Sequence, residues 1–128
     1  MQFITLLAVA TPFIAGVSAK CQIGGMGYYS WPKGKGDSDA LAGIPGACTE
    51  MLGQGAFKED TTRYACRPLS GGKSASLRIQ WRGKGTASLA QADCVKRLSN
   101  EVTGCEHGGG TTTSDWFFAT YAQNAKCT

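Results

Sequence analysis

The sequence predicts an α+β fold: a two-layer β-α-β-β-α-β arrangement, the ferredoxin-like split βαβ motif, in which an antiparallel sheet carries two helices on one face. The first observation behind this class is the order of the hydrophobic patterns. Segments with strand-like alternation and segments with helix-like spacing follow one another along the chain in the order β-α-β-β-α-β. The second is the even number of cysteines, which predicts three disulfides in a small domain. They are Cys21, Cys48, Cys66, Cys94, Cys105 and Cys127.

The N-terminal stretch has the character of a secretory signal peptide. Residues 1–19 carry no charge, and an apolar core runs from Phe3 to Val17. Small residues at Val17 and Ala19 occupy the positions that a signal peptidase reads, so we expect cleavage after Ala19. Residues 20–128 are then expected to form one disulfide-stabilised domain that is secreted and extracellular.

The first two elements are predicted from short and interrupted patterns. We expect a strand within "MGYYSW" and a loop at "WPKGKGDSD". The stretch "DALAGIPGACTEMLG" has helical composition, but Gly43, Pro45 and Gly46 interrupt it. The predicted helix is therefore firmest from Ala47 to Leu52 and ends at Gly53.

A hairpin is predicted next. In "SLRIQWR" the residues Leu77, Ile79 and Trp81 alternate with polar side chains, which is typical of a half-buried strand. The segment "TTRYACRPL" precedes it and is the expected partner strand, because "SGGK" between them has the two glycines that a tight turn needs.

The second helix is predicted in "SLAQADCVKRLSNEVTGC". Ser88 and Gln91 fit a capping box, apolar residues such as Cys94 and Leu98 keep helical spacing, and Gly104 is a suitable stop.

A last strand is predicted in "DWFFATYA", which is rich in aromatic residues. The connection from Cys105 to Thr113 is then expected to be a solvated loop, and it holds the only histidine, His107.

An enzyme that cleaves RNA would need a general acid and base beside a cation for the phosphate. His107 with Glu106 or Glu101, and Arg78 or Arg82, supply those residue types. Neighbouring residues on a glycine-rich loop are poorly preorganised for proton transfer, so we expect no catalytic residues here.

Other catalytic and metal-binding patterns are weaker still. No G-x-S-x-G motif is present, and no two cysteines have the short spacing of a zinc site. The sequence therefore predicts neither a cofactor nor a metal. The remaining acidic residues are interpreted as solvated loop charges rather than a glycosidase pair; they are Asp37, Asp39, Glu59 and Asp60.

Basic residues are predicted to form a stripe on the open face of the sheet. If Leu77, Ile79 and Trp81 face the helices, the residues between them face outward. On the partner strand, Tyr64 and Cys66 are expected to point inward. A net charge of +4 is compatible with an anionic ligand, although an exposed face needs polar residues in any case. The expected binding residues are Arg63, Arg67, Arg78 and Arg82, with Lys73 and Lys84 nearby.

Three aromatic residues, Tyr28, Tyr29 and Trp31, form a second cluster. Such clusters stack on sugar rings or, more often in a small domain, fill the core, and the sequence leaves both alternatives open.

Six cysteines allow 15 pairings. The ends of the second helix and the last strand meet if the two run antiparallel, which favours Cys94 with Cys127. A first helix that covers the hairpin favours Cys48 with Cys66, and Cys21 with Cys105 follows by elimination.

The pattern "ADCVKRLSNEVTGC", then a glycine-rich loop, then an aromatic strand ending at "KC" resembles the small secreted killer toxins of smut fungi. It is also similar to the necrosis-inducing secreted effectors of plant-pathogenic fungi, and the resemblance covers Cys66 to Cys127. It implies a non-enzymatic protein that acts on a host or competitor cell surface, through an anionic membrane, a wall polymer or a protein, and we expect this protein to be a monomer. The alternatives are a secreted ribonuclease-like enzyme and a carbohydrate-binding module.

Overall fold

The computed structural model describes residues 17–21, 31, 36–113 and 115–127. The α+β class is confirmed, and these residues form one antiparallel sheet, two helices and three disulfides. In chain order the elements are β1 (Val17–Cys21), α1 (Gly36–Leu52), β2 (Thr62–Leu69), β3 (Lys73–Trp81), α2 (Gln91–Thr103), β4 (Gly108–Thr113) and β5 (Trp116–Gln123).

The sheet has the strand order β1-β4-β5-β3-β2, and all neighbouring strands are antiparallel. The predicted hairpin is confirmed as β2 and β3, with Leu69 opposite Lys73. Gly71 and Gly72 in its turn have φ values of 76° and 73°, a conformation that glycine adopts without steric cost. Both helices lie on one face of the sheet, here called the inner face; the opposite one is the outer face.

Helix α1 is longer than predicted. It begins at Gly36, so the prediction of a loop through Asp39 is wrong for its last residues, and Pro45 lies inside it. Packing accounts for this length, because Ala40, Ile44 and Met51 lie on its buried side at helical spacing. Local helix breakers are tolerated where tertiary contacts hold the turn together.

Helix α2 ends where predicted but starts differently. The N-cap residue is Ala90 and no side chain caps it, so the predicted capping box is wrong. The amide of Gln91 instead donates to the carbonyl of Pro45 at 3.0 Å and so ties α2 to α1. Gly104 terminates the helix as predicted, and its N–H donates to the carbonyl of Asn100 at 2.9 Å.

The predicted loop from Cys105 to Thr113 is wrong for most of its length, because residues 108–113 form β4 in the interior of the sheet. The glycines make this possible. A Cβ on Gly109 would lie 2.6 Å from the carbonyl oxygen of Lys20, and one on Gly110 would lie 2.8 Å from the Phe117 ring. These glycines therefore allow the close approach of a neighbouring strand and an aromatic ring, and they do not form a flexible connection.

The N-terminal strand also differs from the prediction. Of the stretch "MGYYSW", only Trp31 lies within the described residues, and it is not in a strand. The observed β1 pairs with β4, and its residues Val17 to Ala19 belong to the predicted signal peptide. Cleavage after Ala19 stays a prediction.

The disulfides are Cys21–Cys105, Cys48–Cys94 and Cys66–Cys127, and no cysteine of the chain is free. The first pairing is confirmed and the other two predicted pairings are wrong. Cys48 and Cys94 are both buried, and their disulfide joins α1 to α2. Cys66 lies opposite Ser76 on the outer face, whereas Cys48 is buried on the inner side of α1. Three disulfides in a small domain are typical of extracellular proteins.

Candidate anion-binding face

The structure reverses the predicted orientation of β2. Arg63, Ala65 and Leu69 are buried on the inner face, whereas Tyr64 is 61% exposed on the outer face. The expectation that Arg63 and Arg67 point outward is therefore wrong. The reason is the register: Tyr64 lies opposite Arg78, and residues directly opposite each other in a sheet share a face.

Arg63 stabilises the end of α1. One guanidinium nitrogen, Nη1, donates to the carbonyls of Met51 at 2.8 Å and Gly55 at 2.7 Å, and Nη2 donates to that of Ala56 at 2.9 Å. The guanidinium carbon also lies 4.0 Å from the centre of the Phe57 ring. A cation at this position satisfies carbonyls that a helix C-terminus leaves unpaired, so the role of Arg63 is structural.

Arg67 holds α1 against β2. Its Nη2 lies 3.0 Å from Oε1 of Glu50, and this is the one ion pair within the described part of the chain. The side chain runs across α1 at its glycines, since a Cβ on Gly43 would lie 3.1 Å from the Cβ of Arg67. The residues that break the predicted helix thus make room for this arginine.

Arg78 and Arg82, the other two predicted binding residues, belong to the outer face, where aromatic rings hold them. The carbon Cζ of Arg78 lies 5.7 Å from the centre of the Tyr64 ring and 5.4 Å from that of Phe117. Cζ of Arg82 lies 5.0 Å from the Phe117 ring, and Nε of Arg82 donates to Oε1 of Gln80 at 3.0 Å. We call Tyr64, Arg78, Gln80, Arg82 and Phe117 the outer-face cluster.

The charge of this cluster is not neutralised by the described residues. No carboxylate among them lies within ion-pair distance of Arg78 or Arg82. Cation–π contacts position a guanidinium while leaving its net charge and most of its N–H donors available. Both cations flank the same Phe117 ring, so their positive potentials add at one place on the sheet.

The sheet beneath the cluster supports the rings. Phe117 lies opposite Gln80 on one side and Thr112 on the other, and its ring covers Gly110 together with the hydroxyl end of Tyr121. Because any larger residue at Gly110 would push this ring away, the glycine-rich strand fixes where Phe117 sits.

A hollow opens beside Tyr64, at the Cys66–Cys127 disulfide. Its volume is about 400 Å³, within the range of small-molecule sites. Tyr64 borders both the hollow and the cluster. The other lining residues include Ser76, Gln123 and Lys126, which present a hydroxyl, an amide and an ammonium group, and Glu50, whose carboxylate is paired with Arg67.

The candidate acid–base residues do not assemble with the arginines. Glu101 is buried between α2 and β4, where the Thr111 hydroxyl donates to its carboxylate. Burial raises the pKa of the Glu101 carboxyl above its usual range, and the bond from Thr111 opposes this shift. Glu101 lies on the inner face and Arg78 on the outer face, so the sheet separates them. His107 lies between α2 and β4, where its carbonyl accepts a bond from Ala122 N–H at 3.2 Å.

The other predicted candidates are dispersed. Asp39 accepts a hydrogen bond from the Ser70 hydroxyl at 2.8 Å, and Glu59 accepts one from the N–H of Gly85 at 3.3 Å. Asp60 is exposed. The side chain of Asp37 lies outside the described residues.

Trp31 belongs to the core, and its Nε1 donates to the Cys105 carbonyl at 3.0 Å. Tyr28 and Tyr29 lie outside the described residues. Lys84 is exposed in the segment after β3, and Lys73 begins β3 after the turn.

Sequence reasoning missed Tyr64 and Phe117 as outer-face residues, although a signal for Tyr64 exists. A three-residue turn at 70–72 places Leu69 opposite Lys73, and counting back from that pair places Tyr64 opposite Arg78. Once Arg78 is assigned to the outer face, Tyr64 must follow it.

Comparison with known proteins assigns no family. No protein-family model matches the chain, and no curated protein matches it. Neither of the helices in the described ranges is long and apolar enough to cross a membrane. The same residues contain no group of three potential metal ligands.

Proposed function

We propose that the protein is a secreted, non-enzymatic binding protein that recognises an anionic target outside its producing cell through the outer-face cluster. The observation that carries this proposal is the pair of guanidinium groups, Arg78 and Arg82, which lie around one aromatic ring with no carboxylate partner among the described residues. A killer-toxin-like or effector-like role follows from the sequence resemblance and is part of the same proposal.

Two like charges on one surface lower the stability of the folded chain, because their repulsion is lost on unfolding. An anionic ligand relieves that repulsion when it binds. The free energy that the cluster costs in folding is therefore recovered on binding. Association of this kind weakens with salt, since mobile ions screen exposed charges over about 10 Å at 0.1 M ionic strength.

Secretion is the second part of the proposal. Three disulfides form and persist in an oxidising compartment, and the apolar N-terminal stretch supplies an export signal. Expression in a eukaryotic secretory host followed by N-terminal sequencing tests this part. A mature protein that begins near Lys20 is the expected result, and a chain that stays inside the cells contradicts it.

The binding part is tested with the double variant Arg78→Gln with Arg82→Gln. Its matched control is Lys58→Gln with Lys96→Gln, which removes the same charge from two exposed residues outside the outer-face strands. The probes are dextran sulfate and phosphatidylglycerol vesicles, measured at several salt concentrations. Toxicity to plant leaf and to competing fungi is measured in parallel.

We expect the outer-face double variant to fold, to bind the anionic probes more weakly than the control variant, and to lose toxicity. His107→Ala should leave all three properties unchanged. Equal binding and toxicity of the two double variants would overturn the proposal. Hydrolysis of RNA by the parent protein that His107→Ala abolishes would favour the ribonuclease-like alternative instead.

A further inference from the structure

We propose that the anionic target is single-stranded nucleic acid, with a base stacked on Tyr64 and phosphates held by Arg78 and Arg82. This inference rests on the proposed function and names the ligand class of the same surface. Aromatic rings beside guanidinium groups on an exposed sheet supply the two interactions that single strands offer, stacking with bases and charge pairing with phosphates.

Tyr64 is the stacking platform that the geometry favours. It is the one large apolar side chain that is exposed in the described part of the chain, at 61%. Exposing an aromatic ring to water is unfavourable in free energy, and a base that stacks on the ring removes this exposed apolar area from water. The guanidinium of Arg78, 5.7 Å from the ring centre, places a cation next to that base.

A lipid surface fits this face less well. Proteins that insert into an interface bury a broad apolar face in the lipid, and their binding strength scales with that apolar area. The aliphatic residues of β3, Leu77 and Ile79, are both buried on the inner face. On the outer face the described strands present small, polar, aromatic and basic side chains, but no leucine, isoleucine, valine or methionine.

Neutral sugars and duplexes are also disfavoured. A neutral glycan leaves two guanidinium charges unmatched at its binding surface, although a tyrosine alone suits it. A duplex keeps its bases stacked inside, so it offers Tyr64 no exposed base face. Neither of the two described helices lies on the outer face, where it could enter a groove.

The hollow beside Tyr64 extends the same surface. Its hydroxyl, amide and ammonium groups come from Ser76, Gln123 and Lys126, and its volume of about 400 Å³ accommodates one nucleotide. Glu50 also lines the hollow, and its ion pair with Arg67 offsets its negative charge. A strand that stacks one base on Tyr64 can therefore place the adjacent sugar and phosphate there. The phosphate on the other side of the stacked nucleotide then lies toward Arg78 and Arg82.

The test uses the purified, disulfide-intact protein and four probes. These are a fluorescent single-stranded RNA 12-mer, the same RNA as a duplex, inorganic polyphosphate, and phosphatidylglycerol vesicles. Fluorescence anisotropy and competition give the affinities. The variants are Tyr64→Thr, which deletes the ring and keeps a strand-forming residue, Tyr64→Phe, which keeps the ring, and the two double variants above.

We expect single-stranded RNA to bind more tightly than its duplex or polyphosphate. Tyr64→Thr should weaken RNA binding about 5-fold to 150-fold while leaving polyphosphate binding nearly unchanged, and Tyr64→Phe should retain it. Arg78→Gln with Arg82→Gln should reduce the salt slope for RNA by about 1.4, because two phosphate contacts are lost.

The outcomes separate this inference from the proposed function. If RNA binds no better than polyphosphate and Tyr64→Thr has no effect, the nucleic-acid inference is overturned while anion binding stands. Preferred binding to the vesicles likewise overturns it in favour of a membrane. If none of the anionic probes depends on Arg78 and Arg82, the proposed function fails as well.

Discussion

Replacing Arg63 by methionine removes a guanidinium group that three carbonyls share, while keeping an unbranched apolar side chain in place of the arginine stem. The three hydrogen bonds measure 2.7–2.9 Å, and one of their acceptors, the carbonyl of Met51, is buried. Hydrogen bonds with a charged partner contribute about 1.5–3 kcal/mol each. Water can reach the two partly buried carbonyls after the change, so only part of that sum is lost.

We therefore expect Arg63→Met to lower the free energy of unfolding by about 3–5 kcal/mol, a large share of the stability of a small domain. Arg78→Met is the matched control, because Arg78 lies on the neighbouring strand and on the opposite face. It should cost less than about 1 kcal/mol. Denaturant unfolding with the disulfides intact measures both. Equal costs, or a larger cost at Arg78, would refute the assignment of Arg63 to the inner face.

Three further predictions concern the core and the sheet. The pKa of Glu101 is raised in the folded state, so the folded chain holds this proton more tightly than the unfolded chain does. The free energy of unfolding should therefore fall as pH rises from the usual glutamate range through the raised pKa. Glu101→Gln should remove that part of the pH dependence, which denaturant unfolding at several pH values measures. Peptide mapping without reduction should recover Cys48 joined to Cys94, and replacing both by alanine should cost about 2–5 kcal/mol; a peptide joining Cys94 to another cysteine would contradict the structure. Gly110→Ala should lower the free energy of unfolding by about 1–3 kcal/mol, because the added methyl group clashes with the Phe117 ring. Phe117→Ala in the same chain should relieve the clash, and a double-mutant cycle of unfolding free energies measures this coupling. Additive effects of the two changes would argue against the contact.

Features that depend on neighbours in the chain were predictable. Alternation along "SLRIQWR" placed Leu77 and Ile79 in the core and Arg78 outside, because a strand turns each successive side chain to the opposite face. The position of the tight turn followed from Gly71 and Gly72, and the second helix followed from its spacing. The even cysteine count likewise implied three disulfides without naming the partners.

The candidate site could be predicted only in half. Arg78 and Arg82 were identified from the sequence, but Arg63 and Arg67 were assigned to the wrong face. Arginine is common on exposed strands, and the residues next to Arg63 in the sequence do not predict that the carbonyls at the end of α1 lie above it.

The remaining differences also come from contacts between distant residues. Gly109 and Gly110 read as a loop because glycine is conformationally free, yet a strand edge and an aromatic ring occupy the space where their side chains would be. Cys48 pairs with Cys94 because α1 and α2 pack side by side. The spacing of residues along the chain does not predict which two helices lie next to each other. Local sequence thus determined which segments form helices and most of the strands, since those depend on near neighbours. The tertiary structure alone decided the face of β2, the disulfide partners and the position of Phe117, since these depend on which segments meet in space.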